Sequence, residues 1–266
     1  MSAIPTEPTP VSTFTADALR VAVYEDRAAM GRAAALAVAR VIEARHAEAD
    51  RTNVVFAAAP SQNEFLAALV AHPSIDWTRV VGFHMDEYLG ISPDHSASFR
   101  RYLQEHLFRL VGIRSDRLRL IPGERSERPL RTCLDYEDLL LAEPADIVCG
   151  GIGENGHLAF NDPPVADLLD PVKIKVVRLD AACRQQQLND GCFERIEDVP
   201  THAYTLTVPA LLSAPNVSIV VPGPRKAEAV LATLRGPISE ACPASALRRH
   251  PGAVLYLDRE SARLVL

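Results

Sequence analysis

No CxxC pair occurs among the five cysteines, Cys133, Cys149, Cys183, Cys192 and Cys242, and their number is odd. That spacing excludes a structural zinc site of the usual kind and argues against a disulfide framework. No apolar run approaches the roughly 18 residues that mark a membrane-spanning helix. The first fourteen residues are rich in Pro, Thr and Ser and carry no cationic apolar leader. A soluble, cytoplasmic protein with no membrane partner is expected. The net charge is −6, and there is no basic stripe, zinc-finger spacing or RNA-binding signature, which excludes nucleic acid as a partner. A mildly acidic chain can still hold an anionic ligand, provided that cations and backbone N–H groups cluster locally.

The 266 residues, 48% of them hydrophobic, suffice for one large α/β domain or two small ones with a sizeable core. Residues 1–14 read as a flexible N-terminal arm. No linker-like shift in composition follows, so residues 15–266 are expected to form a single domain. Apolar runs of strand length recur at Ala18–Tyr24, Asn53–Ala58, Val80–Met85, Leu118–Ile121, Asp146–Cys149, Lys173–Leu179, Tyr204–Val208, Val217–Val221 and Val254–Leu257. Helical stretches lie between several of them, at Asp26–Ala49, Ser61–Ala71, Ser96–Leu110, Leu130–Ala142 and Lys226–Leu234. Ser61 and Glu64 have the spacing of a capping box. Buried strands alternating with helices predict an α/β fold, a mostly parallel, Rossmann-like sheet flanked by helices on both faces.

In such sheets ligands bind beyond the carboxyl ends of the strands. The strand ends with polar or Gly-rich chemistry are Ala59–Ser61, Asp86–Tyr88, Gly150–His157 and Pro222–Lys226. Gly151-Ile-Gly-Glu-Asn-Gly156 formally matches a dinucleotide fingerprint, and Asp180 stands at the distance of a ribose-binding acid. The fingerprint also needs a long helix opening at its last glycine, and Pro163, Pro164 and Pro171 prevent one. What remains is a turn where Gly151 and Gly153 let backbone approach a ligand closely. His157 ends that turn and can pass protons near neutrality, or serve merely as a loop histidine bonded to backbone. Asp86 closes an apolar strand, where partial burial would raise its pKa and make it a base toward carbon. Glu87 competes for that role, but adjacent strand side chains point apart, so one of the two faces the site. Ser61 is either a plain N-cap or an anion ligand at a helix start. Lys226 is either a surface lysine or a point charge for phosphate. His84, inside its strand, reads as a core histidine, and the cysteines and Trp77 as packing residues.

Together these segments resemble the glucosamine-6-phosphate deaminase/isomerase family. The likeness rests on Val81-Gly-Phe-His-Met-Asp-Glu-Tyr-Leu-Gly90 with His95 and Ser98 after it, on Gly150-Gly-Ile-Gly-Glu-Asn-Gly-His-Leu-Ala-Phe-Asn-Asp-Pro163, and more weakly on Gly223-Pro-Arg-Lys-Ala227. It implies that Asp86 shuttles a proton between C2 and C1. By the same likeness His157 opens the sugar ring with help from Asn155 and Asp162, and Lys226 and Ser61 hold a phosphate. It implies a small-molecule sugar phosphate as partner and neither metal nor nucleotide cofactor. A homo-oligomer is compatible with it, although most of the family's C-terminal extension is missing.

Asn155 stands where many relatives have Asp, and Asp162 where Glu is usual. Ala57-Ala-Ala-Pro-Ser-Gln-Asn63 replaces a Gly-rich phosphate turn. The relatives' phosphate arginine aligns near Asn189 or Gly191, with Arg184 the nearest substitute. Two other readings stay open: a 6-phosphogluconolactonase-like hydrolase, which would release no ammonia, and a non-catalytic sugar-phosphate sensor.

Overall fold

The computed structural model describes residues 7–189 and 191–266. The first six residues of the expected arm and Asp190 lie outside the described residues. In chain order the hairpin β1 (Ser12–Ala16) and β2 (Leu19–Tyr24) leads into α1 (Arg27–Glu48), β3 (Thr52–Phe56), α2 (Asn63–Val70), β4 (Val80–His84) and β5 (Asp86–Tyr88). Next come α3 (Phe99–Leu103), α4 (Arg109–Val111), β6 (Leu118–Arg119), α5 (Pro129–Ala142) and β7 (Ile147–Gly150). The chain continues through β8 (Ile174–Arg178), α6 (Ala181–Asn189), β9 (His202–Leu206), α7 (Val208–Leu211), β10 (Asn216–Val221), α8 (Ala227–Arg235), β11 (Ala253–Asp258) and α9 (Arg259–Ala262). β1 thus occupies the last three residues of the stretch whose composition suggested a loose arm.

Eight strands form one sheet in the order β1-β2-β11-β10-β7-β3-β4-β6. Only the β1–β2 pairing at the edge is antiparallel; the other six are parallel. Val54 and Phe56 face the cluster built with Met30, Leu66 and Phe108, whereas Val55, Val81 and Phe83 face Tyr136, Val230 and Leu247. The period-2 alternation therefore feeds two cores, one on each face, each covered by helices. That is the predicted architecture.

A second, three-stranded antiparallel sheet, β5-β9-β8, takes the strands expected at Lys173–Leu179 and Tyr204–Val208 out of the main sheet and adds β5, which the sequence did not announce. Asp86 pairs with Thr205 and Tyr88 with Ala203, so the acidic tripeptide turns off the main sheet into this smaller one.

The capping box from Ser61 to Glu64 does not form. Ser61 sits in a 3₁₀ turn, Pro60–Gln62, and α2 opens behind it with Gln62 at its N-cap and no side-chain cap bond. Pro60 at the head of the turn favours the tight 3₁₀ geometry. Glu64 pairs instead with Arg27 of α1 at 3.0 Å. The helix expected over Ser96–Leu110 is likewise interrupted, by a π turn at Gln104–Phe108 between α3 and α4. No helix among the described residues is long and apolar enough to cross a membrane.

Candidate active site

The carboxyl ends of β3, β4, β7 and β10 open on a cavity of about 350 Å³. Asp86, His157, Ser61, Gly151, Gly153 and Lys226 all line it. The side chain placed after the third strand of the apolar pattern and the imidazole beyond the glycine turn thus share one pocket.

Asp86 is 7% exposed. Burial first, and the neighbouring Glu87 carboxylate second, push its carboxyl well above the usual carboxylate range. Glu87 points the other way, as strand alternation requires. It is fully buried, and its carboxylate accepts the backbone N–H groups of Tyr88 (3.0 Å), Phe99 (3.2 Å) and Arg100 (3.0 Å) and the Ser98 hydroxyl (2.8 Å). These donors include the first amides of α3, which have no partner within the helix, so Glu87 caps that helix and cannot also serve the pocket. Burial raises its pKa, and the bonds from Arg100 N–H, Ser98 and Phe99 N–H pull against that rise.

The imidazole rests flat against the backbone of the glycine turn. A Cβ on Gly153 would lie 2.1–2.3 Å from Cε1, Nε2 and Nδ1 of His157, so only glycine admits the ring. Nδ1 lies 2.9 Å from Oδ1 of Asp162, although the ring N–H is not aimed squarely at the oxygen. Asn155 holds the assembly from both sides: its amide donates to Asp162 Oδ1 (2.8 Å) and its oxygen accepts the His157 backbone N–H (3.1 Å). Burial alone would raise Asp162, but the contact with His157, the Asn155 amide and the Cys183 thiol outweigh it and hold the carboxyl below its ordinary value. An ionised Asp162 favours the proton on Nδ1 and leaves Nε2 available toward the pocket. Downstream, Asn161 donates from Nδ2 to the carbonyls of Leu158 and Leu206 (2.8 Å each), and Ala159 is held at φ +50°. A side chain with that φ is strained, and the buried amide fixes the loop in place.

Gly151 has a different role from Gly153. A Cβ there would come within 2.9 Å of Gln62 Nε2 and 3.5 Å of Ser61 Oγ, so its absence lets the Pro60–Gln62 turn close on the β7 loop. Gln62 in turn donates to Ser61 Oγ (3.2 Å). Lys226 sits on the Pro222–Lys226 loop after β10, beside Arg225, whose Nε is 3.3 Å from Glu154 Oε1.

Arg184 is not among the described residues lining the cavity. Its guanidinium donates to the carbonyls of Ile196 and Val199, so it is a structural residue that fastens α6 to the segment after it. Asp180, at the ribose-acid distance, accepts the Cys183 backbone N–H at 2.6 Å and so caps α6. No helix opens at Gly156; the next begins at Ala181. His84 is buried, and burial lowers its pKa to about 3, as a core histidine requires.

Sequence reasoning missed several lining residues: Arg27, Phe99, Tyr102, Phe160, Gln187 and Cys192. Gln187 and Cys192 belong to α6 and its exit, a helix with no apolar stripe to announce it. Arg27 looks like any solvent-facing residue of α1. Phe99 and Phe160 stack on one another behind the pocket, with ring centres 5.6 Å apart, but apolar residues scattered over distant segments carry no local signal of a shared wall.

The profile of a family described as glucosamine-6-phosphate isomerases/6-phosphogluconolactonase matches residues 25–256. A glucosamine-6-phosphate deaminase of Listeria welshimeri is 33% identical over 213 residues, 80% of this chain and 88% of the relative. One from Exiguobacterium sibiricum is 36% identical over 191 residues, 72% of this chain and 73% of the relative. Among solved structures, a monomeric glucosamine-6-phosphate deaminase superposes with a TM-score of 0.85 at 28% identity, covering 92% of this chain and 99% of its own. The 6-phosphogluconolactonase of Thermotoga maritima shares the fold, with a TM-score of 0.73 at 19% identity over 90% of this chain and 99% of its own.

Proposed function

The chain belongs to the glucosamine-6-phosphate isomerase/6-phosphogluconolactonase family, and from that premise we propose that it isomerises and deaminates a hexosamine phosphate of the glucosamine-6-phosphate type, giving a ketose phosphate and ammonia. The observation that carries this reading is the pairing of a buried carboxyl, Asp86, with an imidazole, His157, whose Nδ1 lies 2.9 Å from the Asp162 carboxylate, in one cavity that also contains Lys226 and Ser61.

The chemistry follows from those positions. Nε2 of His157 exchanges a proton with the sugar's ring and anomeric oxygens, which opens the ring and exposes an aldehyde at C1. The adjacent C2–H is then acidic. Asp86, whose basicity burial has raised, takes that proton and returns it to C1. As O1 gains a proton and nitrogen loses one, the double bond moves to C2 and nitrogen as an imine, water adds there, and ammonia leaves. Lys226 and Ser61 hold the phosphate, and the binding energy from that remote group positions the reacting carbons. Asn155 and Asp162 act through the imidazole. A sugar phosphate does not cross membranes unaided, so this reading puts the enzyme in the cytoplasm.

A lactone hydrolase on the same fold needs water attack at a carbonyl but no base poised against a carbon-bound proton, and it leaves Asp86 without a task. The test is to incubate the purified protein with glucosamine 6-phosphate, its epimers and 6-phosphogluconolactone. Release of ammonia with a ketose phosphate from a hexosamine phosphate is expected. Lactone hydrolysis without ammonia release from any hexosamine phosphate would overturn the proposal.

A further inference from the structure

We propose that Arg27 is a phosphate ligand of this pocket, held ready by Glu64 and handed to the substrate when it binds. The inference rests on the sugar-phosphate reading above and adds a residue to its anion subsite.

Arg27 is the first residue of α1 and lines the same cavity as Ser61 and Lys226. Its Nη2 donates to the carbonyl of Pro60 (3.3 Å) and to Glu64 Oε2 (3.0 Å). Pro60 opens the turn that carries Ser61, so the guanidinium is tethered to the very loop that borders the subsite. The Arg27–Glu64 pair is solvent-exposed on both sides, 45% and 32%, and such pairs contribute little and exchange readily. A phosphate dianion offers the guanidinium fork more charge than a carboxylate and suits its bidentate geometry.

The sheet order places the cations together. Arg225 and Lys226 follow β10, and Arg27 follows β2, two strands away across β11, or roughly 10 Å at ordinary strand spacing. An extended arginine spans much of that gap. Asp86 follows β4, three strands from β10 in the other direction, about 14 Å away. The guanidinium itself is held at Pro60, on the loop after β3, so Arg27 reaches across the mouth of the cavity from α1 to the turn that carries Ser61. Arg184, spent on two carbonyls, supplies no charge here, and Arg27 takes that place from a different element.

The experiment uses the full chain with R27A, R27K and E64Q, and two readouts. Steady-state kinetics on glucosamine 6-phosphate separate KM from kcat. Isothermal titration with inorganic phosphate reads the subsite without turnover. In R27A we expect KM to rise by about tenfold or more, with kcat changed by no more than about threefold, and phosphate affinity to fall by about tenfold. Partial recovery is expected in R27K. E64Q, which releases the guanidinium, should bind phosphate as tightly as wild type or tighter. Wild-type KM and phosphate affinity in R27A would overturn the assignment, as would weakened phosphate binding in E64Q. If wild type turns over no hexosamine phosphate while R27A still loses phosphate affinity, the functional reading fails and the anion assignment stands.

Discussion

Replacing Gly153 by alanine adds one methyl group, and the structure says where it must go. Its Cβ would lie 2.1 Å from Cε1 of His157 and 2.2 Å from Nε2, whereas non-bonded carbon contacts settle at about 3.5–4.0 Å. The imidazole has to retreat by roughly 1.3 Å or more, and the 2.9 Å approach of Nδ1 to Asp162 is lost with it. A displacement of about 1 Å at a reacting group costs on the order of 10²-fold in rate. We therefore expect kcat/KM of G153A for ammonia release to fall by about 10²-fold, chiefly through kcat. His157 is on a loop at the cavity wall, so global stability should change by no more than about 1 kcal/mol. Coupled measurement of ammonia release, together with a thermal melt, checks both. A G153A enzyme within about threefold of wild type would refute the claim that the ring works from the position observed.

The remaining expectations concern the groups around it. Asp86 has a raised pKa in the folded protein, so the rising limb of kcat/KM against pH should lie above the ordinary carboxylate range; a limb near 4 would contradict this. The same shift bears on stability. A group that holds its proton more tightly folded than unfolded contributes stability at low pH, and that contribution is lost as pH climbs from its unfolded pKa through its folded one. D86N should therefore melt above wild type at neutral pH, with the difference shrinking toward pH 4; a lower melting temperature at neutral pH would refute the burial argument. E87Q leaves one oxygen for four donors and should cost about 2–3 kcal/mol in urea denaturation; an unchanged midpoint would show that the α3 cap is dispensable. D162N removes the charge that fixes the imidazole tautomer, and kcat should drop by about tenfold or more with KM little changed; unaltered kcat would assign that carboxylate a purely structural part.

Much of the main sheet was legible because its strands are short apolar runs, such as VVGFH and VSIVV, buried on both faces. Of the second sheet, β8 and β9 were legible as apolar runs, but not β5 and hence not the sheet itself, because a three-residue strand reading DEY has neither length nor alternation enough to declare itself. The sequence AACRQQQLN lacks an apolar stripe, so α6 went unseen and its cap, Asp180, was open to a cofactor reading. Asp86 and His157 could be found because each ends a recognisable strand or turn. Gly153 and Gly151 were both read as clearing space for a ligand. The structure instead gives one to the imidazole and the other to a neighbouring turn, a distinction that needs coordinates. Ser61 lines the pocket although the cap that suggested it is absent. Arg27 carried no pattern and Glu64 the misleading one of a capping box, since an ion pair between two helices is set by their packing and not by spacing along the chain.

The central claim is that one carboxylate, Asp86, carries the proton between two carbons. It is tested most directly by incubating the ketose phosphate and ammonia with enzyme in D₂O and following deuterium at C1 by NMR. Wild type should wash deuterium into that position, and D86N, with its fold verified by circular dichroism, should not do so above background. Incorporation by D86N at the wild-type rate would mean that another group moves the proton.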